Sequence, residues 1–151
     1  MRKVGEYDPL VADRPRILGY TNNAGSIGSK FLVALRDEKK FMGIRCPQCN
    51  HVYVPPRATC IKCFNKLDEL VEVSDKGTLL TYTVVHEPEP VYPIDTPFIY
   101  GIVRLDGADT GLVHFIGECP PEKVAIGMKV QAVFEEKRTG SIKDIKYFKP
   151  I

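Results

Sequence analysis

Four of the five cysteines fall in one tight pattern: Cys46-Pro47-Gln48-Cys49, ten intervening residues, then Cys60-Ile61-Lys62-Cys63. Each C-x-x-C pair places two thiolates on one side of a tight turn. Two such turns facing each other make the tetrahedral sulfur cage that Zn²⁺ prefers. Disulfides would use the same residues, but they belong to oxidising compartments. The stretch from Met1 to Asp8 is polar and offers no apolar segment for export. A redox C-x-x-C needs a single pair beside a βαβ pattern, and no such pattern occurs in this sequence. The spacing therefore predicts one metal held by Cys46, Cys49, Cys60 and Cys63, structural and closed to substrate. Iron in a rubredoxin-like cage remains the variant that the same S₄ geometry admits.

A chain of 151 residues has room for one ordinary domain, or for two small modules sharing a core. Its apolar runs are too short to span a bilayer, so no membrane is expected and the cytoplasm is the expected address. The net charge is +2, from 21 basic and 19 acidic residues. That balance gives no electrostatic case for nucleic acid. Cys119, left over once the metal site is filled, reads as a small filler residue.

Three segments are expected. Residues 1–28 lack hydrophobic periodicity and are rich in turn formers, which predicts an extended arm that orders by docking on a partner. Residues 29–66 hold a helix and the metal ribbon. The helix is expected from about Lys30 to Lys40, with Phe31, Leu32 and Leu35 at helical spacing and Ser26 or Ser29 as its cap. The ribbon runs from about Gly43 to Asn65. In it Asn50 suits a left-handed knuckle turn, and His51 reads as a surface residue rather than a ligand. Residues 67–151 switch to period-2 alternation with turns between: Glu69 to Val73, Thr78 to Val85, Phe98 to Leu105, Leu112 to Ile116, Met128 to Glu136 and Ile142 to Phe148. Ser74-Asp75-Lys76-Gly77 reads as the first of those turns. The fold class is mainly β, with a short N-terminal helix, a rubredoxin-like zinc ribbon and a five-stranded OB-like antiparallel barrel.

Several motifs then occur in one order: the helix, Arg45-Cys46-Pro47-Gln48-Cys49, Pro55-Pro56-Arg57 ahead of Cys60-Ile61-Lys62-Cys63, and Gly77-Thr78 leading to Tyr82-Thr83-Val84-Val85-His86. Thr96-Pro97-Phe98 and Ile126-Gly127-Met128-Lys129-Val130 each open a later strand. Over about residues 30–149 the chain resembles the family of small proteins that join a rubredoxin-like zinc ribbon to an OB-fold and associate with acyl-CoA enzymes. The resemblance implies a non-catalytic subunit of a larger, thiolase-like catalytic chain, with one structural Zn²⁺ and a coenzyme A thioester as ligand of the complex. The arm is similar to that of members serving a benzoylsuccinyl-CoA thiolase in anaerobic toluene breakdown. Phe64-Asn65 departs from the family, which often has glycine after the last cysteine. Under this resemblance Arg57 and Lys62, with Arg45 and Lys66 beside them, are the candidate contacts for the coenzyme A phosphates.

No catalytic residues are assigned. A thiolase needs a reactive cysteine and histidine bases, whereas Cys119 has two prolines after it and His86 and His114 fall on predicted strands or their ends. Two other classes compete. A single-stranded nucleic-acid binder would use Tyr82, Phe98, Tyr100, Phe115 and Phe134 as stacking rings, but a basic stripe is missing. An iron electron carrier would leave the barrel without a purpose.

Overall fold

The structure is a computed structural model that describes Gly19 and residues 21–151. The arm expected over residues 1–28 therefore lies largely outside the described residues. Helix α1 (Gly25–Glu38) comes first. It begins one turn earlier than predicted because Ile27 stands four residues before Phe31 and eight before Leu35, on one helical face. Ile27 packs against the ribbon's small core, and this contact draws the first turn into the helix. Neither serine caps it: Asn23 Oδ1 accepts from the Gly25 N–H at 2.7 Å. The helix stops at Lys39, which turns left-handed at φ 57°. Lys40 lies beyond the helix, with its ammonium 3.0 Å from Glu72.

Strands β1 (Phe41–Arg45), β2 (Val52–Tyr53) and β3 (Glu69–Val73) form a three-stranded antiparallel sheet in the order β2-β1-β3. The run Glu69–Val73, expected among the barrel strands, thus pairs with the ribbon, Arg45 opposite Glu69 through Phe41 opposite Val73. Strand alternation shows which face is buried but not which neighbour is paired.

The remaining strands are β4 (Lys76–Val85), β5 (Phe98–Leu105), β6 (Leu112–Ile116), β7 (Lys129–Phe134) and β8 (Ile145–Pro150), closed in the order β4-β5-β6-β8-β7. This is the expected five-stranded OB-like barrel, with one difference: β6 meets β8 in parallel, at Ile116 and Phe148. Lys76 and Gly77, expected in a turn, open β4. Gly77 pairs with Leu105 on one side and Val130 on the other. A Cβ there would sit 2.4 Å from the Arg104 carbonyl oxygen, so glycine serves close backbone approach rather than a turn.

Leu79, Val103, Leu105, Val130, Ile145 and Phe148 fill the barrel, and Phe31, Leu35 and Phe41 extend the same cluster. The ribbon has its own smaller cluster of Ile44, Cys46, Tyr53, Cys60 and Leu67. Helix α1 and strand β1 each contribute to both. The β5–β6 turn adds a polar seam. Asp109 accepts from the Val52 N–H and donates its own N–H to Val52 O, at 2.8 and 2.9 Å. Thr110 Oγ1 accepts from Val54 N–H at 2.7 Å and donates to Val54 O at 2.9 Å. Among the described residues no helix is long and apolar enough to cross a membrane.

Candidate metal centre

The two C-x-x-C turns are built alike. In the first, Asn50 N–H donates to Cys46 O and Cys46 N–H to His51 O, both at 2.9 Å. In the second, Phe64 N–H donates to Cys60 O at 3.0 Å and Cys60 N–H to Asn65 O at 2.9 Å. Closing each turn requires a left-handed residue after the second cysteine, and Asn50 (φ 56°) and Phe64 (φ 59°) supply it. Asparagine tolerates that backbone, whereas a bulky side chain pays for it. The second knuckle therefore turns like the first in spite of its phenylalanine. Asn65 Nδ2 donates to Gln48 Oε1 at 2.6 Å and ties the two turns together.

The four sulfur atoms all lie within 4.8 Å of one another. Cys46 Sγ is 3.4 Å from Cys63 Sγ, and Cys49 Sγ is 3.6 Å from Cys60 Sγ. A tetrahedron with metal–sulfur bonds of about 2.3 Å has edges of about 3.8 Å, so the donor set fits a Zn²⁺-sized ion. All four thiols are free of disulfides. Tyr53 Oη lies 3.2 Å from Cys60 Sγ, and the Lys62 N–H donates to the same sulfur at 3.4 Å.

The crowded thiols differ in how readily each gives up its proton. Burial raises the Cys60 thiol, but donation from Tyr53, from the Cys63 and Lys62 N–H groups and from the Cys63 thiol outweighs it and brings it down to about 5. At Cys63 the Asn65 N–H favours the thiolate, yet burial and the sulfurs of Cys46 and Cys60 push the group up to about 12. Four neighbouring thiols cannot all ionise unless a cation balances them. Cys46 and Cys60 are fully buried, while Cys49 lies at the surface.

His51 stands outside the sulfur cluster. Its Nδ1 is 3.1 Å from Lys62 Nζ and 3.7 Å from Asp109 Oδ2, and its ring centroid lies 4.7 Å from that of Tyr53. Arg57 places its guanidinium 5.5 Å from the Tyr53 ring centroid. Arg57 and Lys62 are thus both exposed and both anchored to residues around the metal site. Arg45 points toward Glu69 at 4.0 Å.

Away from the ribbon, burial pushes the Cys119 thiol up, opposite to the direction that makes a thiol nucleophilic. His114 is buried in β6, and that burial lowers its pKa below the usual imidazole value; its Nε2 lies 3.4 Å from Ile142 O. The rings singled out as stacking candidates divide. Phe98 is buried, while Tyr100 and Phe115 meet edge to face at 4.7 Å. Strands β4 to β6 hold only Lys76 and Arg104 as lysine or arginine. Sequence reasoning missed the Asp109 and Thr110 seam, because the partners are 56 and 57 residues apart and carry no local signature.

Residues 34–68 match the model of the ChsH2 rubredoxin-like zinc ribbon domain, and residues 70–135 match that of the ChsH2 C-terminal OB-fold domain. The chain is similar to a DUF35 domain-containing scaffold protein of Methanocaldococcus jannaschii, 36% identical over 78% of this chain and 86% of the relative. A second such scaffold protein, from Methanothermobacter thermautotrophicus, is 33% identical over 64% of this chain and 72% of its own length. Among solved structures, a chain of an Ltp2-ChsH2(DUF35) aldolase superposes with a TM-score of 0.64 at 25% identity, covering 91% of this chain and 98% of that one.

Proposed function

We propose, from the premise that this chain belongs to the DUF35 family of scaffold proteins with a ChsH2-type zinc ribbon and OB-fold, that it is a non-catalytic subunit of a thiolase-type acyl-CoA enzyme. The observation that carries the reading is the four-sulfur centre. All four donor positions are filled by the protein's own thiolates, so no position is left for a substrate or activated water. Zn²⁺ there supplies folding energy to the ribbon, and Cys46, Cys49, Cys60 and Cys63 hold it. The match to a chain of an Ltp2-ChsH2(DUF35) aldolase supports a larger catalytic partner.

In the finer reading Arg57 and Lys62 face the phosphates of the coenzyme A thioester, since both cations are exposed and held in place by Tyr53 and His51. The finest reading is the small subunit of a benzoylsuccinyl-CoA thiolase, which rests on the resemblance of the segment before the helix. The chain alone, mixed with coenzyme A and benzoylsuccinyl-CoA or acetoacetyl-CoA, is expected to give no thiolysis, and addition of the catalytic chain restores it. Substituting both Arg57 and Lys62 by alanine removes two charge-assisted contacts and raises the complex's apparent KM for the thioester by about tenfold or more. Turnover by the lone chain rejects the subunit role. An unchanged KM in an intact complex rejects the phosphate contacts.

A further inference from the structure

We infer that the barrel carries a binding site for a small aromatic carboxylate, in the groove between the loop of residues 86–97 and the connection from β7 to β8. The ring lodges among Phe98, Tyr100 and Phe115, and the carboxylate meets Lys143. The site lies wholly on this chain and is independent of the subunit reading.

Two hollows of about 500 and 430 Å³ adjoin on this face and share Pro93, His114, Phe115 and Lys143 in their linings. Each has the size of a small-molecule site, and apolar and aromatic side chains dominate both. The groove is held in shape by rings that meet nearly at right angles. Tyr92, from the loop, stands 5.3 Å from Phe98 at 82° and so ties the loop to β5. Phe98 meets Phe115 at 5.6 Å and 79°, and Tyr100 meets Phe115 at 4.7 Å and 86°. Edge-to-face rings leave part of their faces uncovered, and a guest ring can join the same array with a gain beyond its buried area. An aliphatic chain has no such gain. Tyr100 is 37% and Val113 50% exposed, so the chain's own side chains leave the groove open.

Charge sets the other end of the ligand. Among the described residues that line the larger hollow, Lys143 is the one with a full charge, since burial disfavours the protonated form of His114. No carboxylate of the described residues lies within 4.0 Å of the Lys143 ammonium. Asp144, next in the chain, is turned into its own loop, where it accepts from the Thr139, Gly140 and Ser141 N–H groups at 2.9, 2.8 and 3.2 Å. The smaller hollow adds Lys146 and Glu135, which offset each other. Glu89 and Asp95 line a separate hollow along the loop that contains neither lysine. One net positive charge is left in an aromatic groove, and a monoanion complements it. Strands β5 and β6 are the second and third of the barrel, the face on which OB-folds hold oligonucleotides. A strand of phosphates needs a row of cations there, whereas a single carboxylate needs one.

The test titrates the full-length, zinc-loaded chain with phenylacetate and follows its amide chemical shifts. Saturable shifts are expected in β5, β6 and around Lys143, with a Kd of about 0.1–1 mM, as suits so small a ligand. Phenylacetamide, which lacks the charge, and hexanoate, which lacks the ring, bind about fivefold more weakly or worse. Lys143→Met weakens phenylacetate by about fivefold and leaves phenylacetamide and the melting temperature unchanged. Val113→Glu sets a carboxylate in the groove and removes phenylacetate binding. Absence of saturable shifts at about 10 mM phenylacetate overturns the site. Equal affinity for the three probes overturns the ligand class. An equal loss in Lys146→Met would replace the seat at Lys143 by a diffuse positive field and overturns it as well. Oligothymidylate that moves the same amides at lower concentration in physiological salt would make the groove a nucleic-acid site, which also overturns the inference. Failure of the site leaves the subunit reading standing.

Discussion

The ribbon and the barrel meet across one helix and one strand, but they are held together by different means. The barrel closes five strands around a cluster that includes Leu79, Val103, Leu105, Val130 and Phe148, all buried. The ribbon gathers Ile44, Tyr53 and Leu67 around two cysteines, and its second strand is two residues long. So little apolar area cannot hold two tight turns and their left-handed residues against chain entropy. The metal makes up the difference in the ribbon, whereas hydrophobic burial suffices in the barrel. A region whose shape is set by four bonds at its base is free to display unfavourable side chains at its tip. A barrel whose shape depends on side-chain packing has less freedom of that kind.

The largest effect should come from attacking the ribbon's staple. Removing zinc with a chelator, or replacing Cys60 by serine, forfeits stabilisation on the order of 10 kcal/mol. The amide signals of Arg45 to Leu67 are expected to collapse while those of β4 to β8 keep their dispersion. Loss of both regions together would show that the barrel leans on the ribbon, and the contrast would fail. Next in size is the barrel's own core. Phe148→Ala should cost about 3–5 kcal/mol in chemical denaturation, with metal stoichiometry unchanged in the folded protein. A variant that sheds zinc before the barrel melts would reverse the assignment.

The seam between the regions gives the smallest effect. Thr110→Val deletes the hydroxyl that accepts from the Val54 N–H and donates to the Val54 carbonyl. It should cost about 1–3 kcal/mol and make the ribbon easier to open than the barrel in native-state hydrogen exchange. Equal acceleration of exchange in both regions would argue that they form one cooperative unit.

The same contrast explains what could be read from the sequence. Cys46, Cys49, Cys60 and Cys63 lie close in the chain, and their spacing is itself the geometry, so the metal site was legible. Barrel strands announced themselves by alternation, as in Met128, Val130, Ala132 and Phe134, of which Val130 and Ala132 are buried and the other two pack against the core. Pairing was not legible. Glu69–Val73 alternates like its successors, yet its partner is Phe41–Arg45, a choice made by tertiary contact. Gly77 carried a turn signal, although its role is close approach to Arg104. The start of α1 was hidden by Gly25 and Gly28, poor helix formers that mask the four-residue spacing of Ile27 and Phe31. Phe64 departed from the glycine that the family resemblance led one to expect, but only the backbone shows that it keeps the left-handed turn.

Whether this chain works as part of a larger enzyme is the question on which its function turns. The direct measurement is tagged purification from the native host at physiological salt, with the co-eluting chains identified and the absorbance of nucleic acid recorded. The predicted result is a larger acyl-CoA carbon–carbon bond-forming or bond-cleaving chain in simple stoichiometry, free of nucleic acid. Elution of the chain alone, or with single-stranded nucleic acid in place of a protein, would contradict it.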